Sequence, residues 1–147
     1  MSLIPDKCIL HFDSRSECVA FEKGKTYKLL NASKYKIKKV RIDNCILQNE
    51  GQRRCDYLLS IDDDNIRKVF FVELKGERLI DAVKQIHSTI TYLKEEFKGF
   101  QLEARIVGSK DVPNIKNNPH YLKLKKIVDS SGGNIKRATN KYYSETI

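Results

Sequence analysis

The sequence predicts a mixed α/β fold, and three observations carry that reading. Two apolar and aromatic runs, residues 57–61 and 69–74, flank the acidic stretch Asp62-Asp63-Asp64-Asn65, a strand–turn–strand pattern. Leu79, Val83, Ile86, Ile90, Leu93 and Phe97 then recur in steps of four and three, which makes one apolar helical stripe. Beyond Gly99, Leu102-Glu103-Ala104-Arg105-Ile106-Val107 reads as another strand, so strand, helix and strand follow in the order of a parallel crossover.

From the N-terminus, Ser14-Arg15-Ser16-Glu17 has capping-box spacing, which predicts a short helix through Phe21 closed by Gly24. Tyr35-Lys36-Ile37 and Val40-Arg41-Ile42 predict extended chain, with a first strand over residues 40–47. Gln48-Asn49-Glu50-Gly51-Gln52 is the turn into the second strand. Gly99 is expected to close the long helix. Residues 109–118 read as a loop. Pro119 suits the first position of a last helix running to about Asp129, stopped by Gly132-Gly133. Residues 135–143 read as a final strand, and the last few residues are expected to fray.

The 147 residues are enough for one domain with a real core, spanning 1–147, and too few for two comfortable ones. No apolar run approaches the roughly 18 residues of a membrane span, and the N-terminus lacks the pattern of a signal peptide. The cysteines at 8, 18, 45 and 55 form no C-x-x-C pair. With no export signal they read as free thiols in a reducing cytoplasm, Cys45 and Cys55 as small apolar packing residues on neighbouring strands.

Charge is unevenly spread over the net +9. Residues 1–50 hold ten Lys/Arg against six Asp/Glu, residues 51–109 ten of each, and residues 110–147 eight against three. A neutral centre between basic flanks suits a site that holds cations while its surroundings attract a polyanion. Lys34, Lys36, Lys38, Lys39 and Arg41, with Tyr35 among them, fit two readings equally: a phosphate-backbone contact, or a solvated edge protected from pairing.

The hairpin holds the candidate chemistry. With Asp64-Asn65 as a two-residue turn, position 63 faces 66 and Asp56 falls opposite Glu73. Opposed residues have Cβ atoms about 4.5–5.5 Å apart, and like charges there repel. Lys75 shares the face of Glu73. A divalent cation is the simplest reason for Asp, Glu and Lys to meet within apolar strands, and magnesium takes one or two carboxylates plus waters and substrate phosphate. An exposed ion pair on a solvated face is the bland alternative.

Asp56, a hairpin and then Glu73-Leu74-Lys75, followed by Gly76 and a helix carrying Gln85, resembles the signature of the PD-(D/E)xK nucleases of the restriction-endonuclease-like fold. Cys55 stands where the family name has proline. The resemblance covers residues from about Ser14 to Val107. It implies a core of helix, three-strand meander, helix and strand, here with an appended C-terminal helix and strand. It implies a metal-dependent phosphodiester hydrolase, a Mg²⁺-dependent endodeoxyribonuclease of restriction, repair or mobile-element type, with Mn²⁺ as substitute metal. Asp56 and Glu73, with the carbonyl of Leu74, would hold the metal, and Lys75 would position water or stabilise developing charge. Gln85 would orient the water or a phosphate; its other reading is a buried amide satisfying backbone groups. Glu17 or Glu22 could add an acidic ligand from the first helix, and His87 is not needed. DNA is the implied partner, with no membrane, and a homodimer or larger partner protein fits so small a domain. The alternative is a non-catalytic nucleic-acid-binding or partner-binding subunit of the same fold.

Overall fold

The computed structural model describes residues 2–46, 54–76, 78–109 and 112–147, without the side chain of Lys75. Among the described residues it is a mixed α/β fold of two α-helices and two sheets. The strands are β1 (Ile9–Asp13), β2 (Glu17–Glu22), β3 (Lys25–Leu30), β4 (Ile37–Arg41), β5 (Tyr57–Asp62), β6 (Arg67–Gly76), β7 (Gln101–Gly108), β8 (Ile135–Ala138) and β9 (Tyr142–Thr146). The helices are α1 (Leu79–Tyr92) and α2 (Pro119–Ser130). The large sheet has order β1-β4-β5-β6-β7-β8, and the small one β2-β3-β9.

The β5–β6 hairpin forms in the expected register. Tyr57 faces Val72 and Asp62 faces Arg67, and the backbones of Asp63 and Ile66 close the turn by reciprocal bonds of 3.0 and 3.4 Å. β4, β5 and β6 are an antiparallel meander, and β7 returns parallel to β6 after α1. Pro119 does open α2, where Asn118 caps the amides of His120 and Tyr121.

Several expectations are overturned. The helix over residues 14–21 is instead strand β2. Its Cys18 and Ala20 are buried in strand alternation, and it pairs with β3 from Glu17–Leu30 to Glu22–Lys25. Lys23 and Gly24 both have positive φ, 49° and 79°, which is the backbone of a tight hairpin turn rather than a helix end. Long-range pairing has outweighed the capping-box spacing. The strand expected over 40–47 runs from Ile37 to Arg41, because the chain turns at Asn44, where φ is 63°. Cys45 and Ile46 bond back to the carbonyl of Ile42. Leu47 and the turn at 48–52 lie outside the described residues.

α1 stops at Tyr92, and turns fill 93–99, although Leu93 and Phe97 remain buried. The single strand expected over 135–143 is split near Lys141, φ 67°. β8 extends the large sheet beside β7, and β9 crosses to pair parallel with β3. The C-terminus is held rather than frayed, since the amide of Ile147 bonds to Leu30 O. Cys8 and Cys45 are joined in a disulfide, with Cα atoms 5.8 Å apart, and only Cys18 and Cys55 are free thiols. Cys45 lies in the turn after β4, not on a strand beside Cys55.

Both faces of the central strands are covered, as their two-sided apolar pattern requires. Leu58, Val69 and Phe71 face one core with Val83, Ile86 and Leu124 from the helices. Leu59, Ile61, Phe70 and Val72 face the other, with Tyr27 and Leu29 from the small sheet. No helix is long and apolar enough to cross a membrane among the described residues.

Candidate functional site

Asp56 immediately precedes β5, and Glu73 lies late in β6. The ladder ends at Tyr57–Val72, one step short of them. The amide of Asp56 instead bonds to Val72 O at 3.1 Å, and the Asp56 carbonyl accepts from the amide of Ile42 at 3.0 Å. Its carboxylate accepts from the amide of Leu74 at 2.8 Å. This side chain thereby ties the start of one strand to the end of its neighbour. Asp56 is 3% exposed and Glu73 1% exposed. Two carboxylates buried at adjacent strand ends are costly unless strongly compensated.

Part of the compensation comes from α1. The first turns of the helix set Gln85 on its buried face. In the amide orientation that satisfies both its oxygen and its nitrogen, the Gln85 side-chain nitrogen donates to Glu73 Oε2 and to the carbonyl of Asp81, the latter at 3.2 Å. The structure therefore brings together Asp56, Glu73 and Gln85. Leu74 contributes its amide, while its side chain packs in the core on the small-sheet side. Lys75 lies next but one to Glu73 on β6, and its side chain is outside the described residues.

Cys55 and Thr89 are further parts of this region, and the sequence reading did not single out Thr89. The amide of Cys55 donates to Thr89 Oγ1 at 2.9 Å, and that hydroxyl donates to Gln85 O at 2.8 Å. The signal was available: Thr89 lies four residues after Gln85, hence one turn along the same helix face. Burial pushes the Cys55 thiol far above its ordinary value, despite the Thr89 hydroxyl, and the charges of Glu73 and Asp56 act in the same direction. Arg54, also buried, stacks its guanidinium 4.6 Å from the Tyr92 ring centre and bonds to Ser88.

Glu17 and Glu22 are on β2 rather than on a helix. Glu17 is exposed and pairs with Lys28 at 3.7 Å. Glu22 accepts from the Tyr57 hydroxyl at 3.1 Å. Burial and this carboxylate raise the Tyr57 phenol, and Asp56 adds to the effect. His87 is turned towards α2. Desolvation lowers its pKa, and Lys123 and His120 lower it further.

The donor set at Asp56 and Glu73 is hard oxygen in small number, which suits magnesium completed by waters and phosphate. Among the described residues no three His, Cys, Asp or Glu side chains gather into a metal-binding group. Comparison with protein families, curated proteins and solved structures found no match to this chain.

Proposed function

We propose that this chain is a metal-dependent phosphodiester hydrolase acting on nucleic acid, with DNA as the preferred substrate. The observation that carries the reading is the buried pair Asp56 and Glu73 at adjacent strand ends, with Gln85 donating to Glu73. The meander β4-β5-β6, the helix α1 and the parallel strand β7 follow the order of a restriction-endonuclease-like core. The first element of that core would here be replaced by the hairpin β2–β3.

In this reading Asp56 and Glu73, with the carbonyl of Leu74, hold Mg²⁺ or Mn²⁺. The metal supplies charge neutralisation at the phosphate and acidifies a water. The Leu74 amide and the Gln85 side chain fix how the two carboxylates point. Lys75 would position water or stabilise charge developing on the phosphate. The surplus of Lys and Arg on both flanks of the neutral segment favours association with a polyanion.

The test is calorimetric titration of Mg²⁺ and Mn²⁺ into the protein, beside Asp56→Ala and Glu73→Ala. Heat from the parent that vanishes in both variants supports a shared carboxylate site. Cleavage of duplex, single-stranded or branched DNA should then require the same two residues. Metal binding unchanged in both variants sinks the assignment. No binding, together with no cleavage of any substrate, leaves the same fold acting as a nucleic-acid-binding subunit.

A further inference from the structure

A second feature lies on the helix side of the large sheet, where α1 does not reach. α1 packs over β6 and β7; on the outer strands Ile9 and Val40 are packed into the helix-side core, while Phe12 is exposed and Lys38 half-buried. Phe12 on β1 faces Lys38 on β4, Lys38 faces Ser60 on β5, and Ser60 faces Val69 on β6. These positions form one row across the sheet, and Val69 marks its side as the helix-facing one. The N-terminal residues and the turns after α1 build walls above the row, enclosing a groove of about 380 Å³ with Phe12, Phe97 and Phe100 among its lining.

The charges in this groove are unequal in availability. Asp62 is paired with Arg67 at 3.1 Å, and that guanidinium stacks 4.4 Å from the Phe100 ring centre. The Glu96 carboxylate accepts from Ser2 Oγ at 3.0 Å and the Leu3 amide at 2.8 Å. Asp6 is the remaining acid on the wall. Lys36 and Lys38 have no carboxylate partner among the described residues. Their ammonium groups instead lie 4.1 and 4.7 Å from the centre of the Phe12 ring. Phe12 is 49% exposed, so a large aromatic side chain is kept at the surface between two cations.

We propose that this groove is a subsite for unpaired nucleic acid, with a base stacked on Phe12 and its flanking phosphates on Lys36 and Lys38. An aromatic face offers sequence-tolerant stacking to any base. The long lysine stems let the ammonium groups leave the ring for neighbouring phosphates while their methylenes stay against it. A duplex keeps its base faces covered by its own stack and cannot use the ring. A flat anionic membrane does not enter a concave groove. The inference goes beyond hydrolysis, since the groove can hold a strand whether or not the carboxylate site turns over.

The experiment is fluorescence anisotropy with a short labelled oligothymidylate in EDTA, with a duplex of equal length as comparison. Phe12→Ala removes an exposed ring and leaves both cores intact. It should weaken single-strand binding by between about fivefold and a hundredfold, and duplex binding by much less. Lys36→Ala and Lys38→Ala should each flatten the dependence of log affinity on log salt by about 0.7. Single-strand affinity unchanged in Phe12→Ala, or an equal loss for duplex, overturns the stacking assignment. Unchanged salt slopes overturn the phosphate contacts. Because metal is absent, failure here is distinct from failure of the Mg²⁺ titration at Asp56 and Glu73.

Discussion

With its amide nitrogen turned towards β6, the orientation that satisfies both amide atoms, Gln85 donates to Glu73 Oε2 and joins the first half of α1 to the end of β6 beneath it. The same amide also reaches the carbonyl of Asp81 at 3.2 Å. Gln85 thus orients a buried carboxylate and satisfies helix backbone at once. The bond to the Asp81 carbonyl matches the reading of Gln85 as a buried amide that satisfies backbone groups.

Gln85→Leu keeps the bulk and removes the donor. It should lower stability by about 1–3 kcal/mol, the cost of depriving a buried acceptor of a partner. Urea unfolding measures it. Stability equal to the parent would mean that the Gln85–Glu73 bond contributes nothing in solution.

The two sheets are fastened by a buried ionic cluster. Arg105 on β7 bonds to Glu103 at 2.8 Å and to Glu145 on β9 at 2.5 Å, and the Tyr27 hydroxyl on β3 donates to Glu145 at 2.6 Å. Glu145→Ala should cost about 3–5 kcal/mol, because it leaves an arginine buried with half its compensation gone. Thermal unfolding would reveal a smaller loss, comparable with that of an exposed surface pair, if β9 were not docked as described.

The cysteines give a chemical test of the fold. Cys18 and Cys55 are buried, and burial pushes both thiols above their ordinary range. Without reductant, a thiol-specific reagent should label neither in the native protein and only these two in denaturant. Prior reduction should expose all four cysteines. Reduction should also cost about 4 kcal/mol, from release of the 37-residue loop between Cys8 and Cys45. Four reactive thiols in denaturant without reductant would remove the Cys8–Cys45 bond from the account.

Acid should be felt at Asp13. The Arg15 side chain bonded to it holds its carboxyl down to about 2, below the ordinary 3.8. A depressed folded-state value means that the contribution is present above pH 3.8 and is lost as the pH falls towards about 2. The pair is exposed, so salt should weaken the effect. An NMR titration should place the Asp13 midpoint near 2 and return it towards the ordinary value in Arg15→Ala. A normal midpoint in the parent would deny the pairing.

The sequence determined the parts governed by short-range repetition. Strand alternation and one tight turn fixed the β5–β6 register, so Tyr57–Val72 and Asp62–Arg67 could be paired from spacing alone. The apolar stripe located α1, and Pro119 located the start of α2. The proximity of Asp56 to the end of β6 follows from that register, and the position of Gln85 on a buried helix face follows from the stripe. Tertiary structure decided the rest, because those choices depend on partners distant in the chain. Ser14-Arg15-Ser16-Glu17 has helix-start spacing, yet residues 17–22 become a strand because β3 and the core supply pairing and burial that a lone helix there would lack. The last segment is divided between two sheets, and Cys8 meets Cys45, only once the N-terminus has folded against the turn after β4. The groove at Phe12 likewise exists because α1 covers β6 and β7 but not β1, a placement that no local pattern around Phe12 encodes.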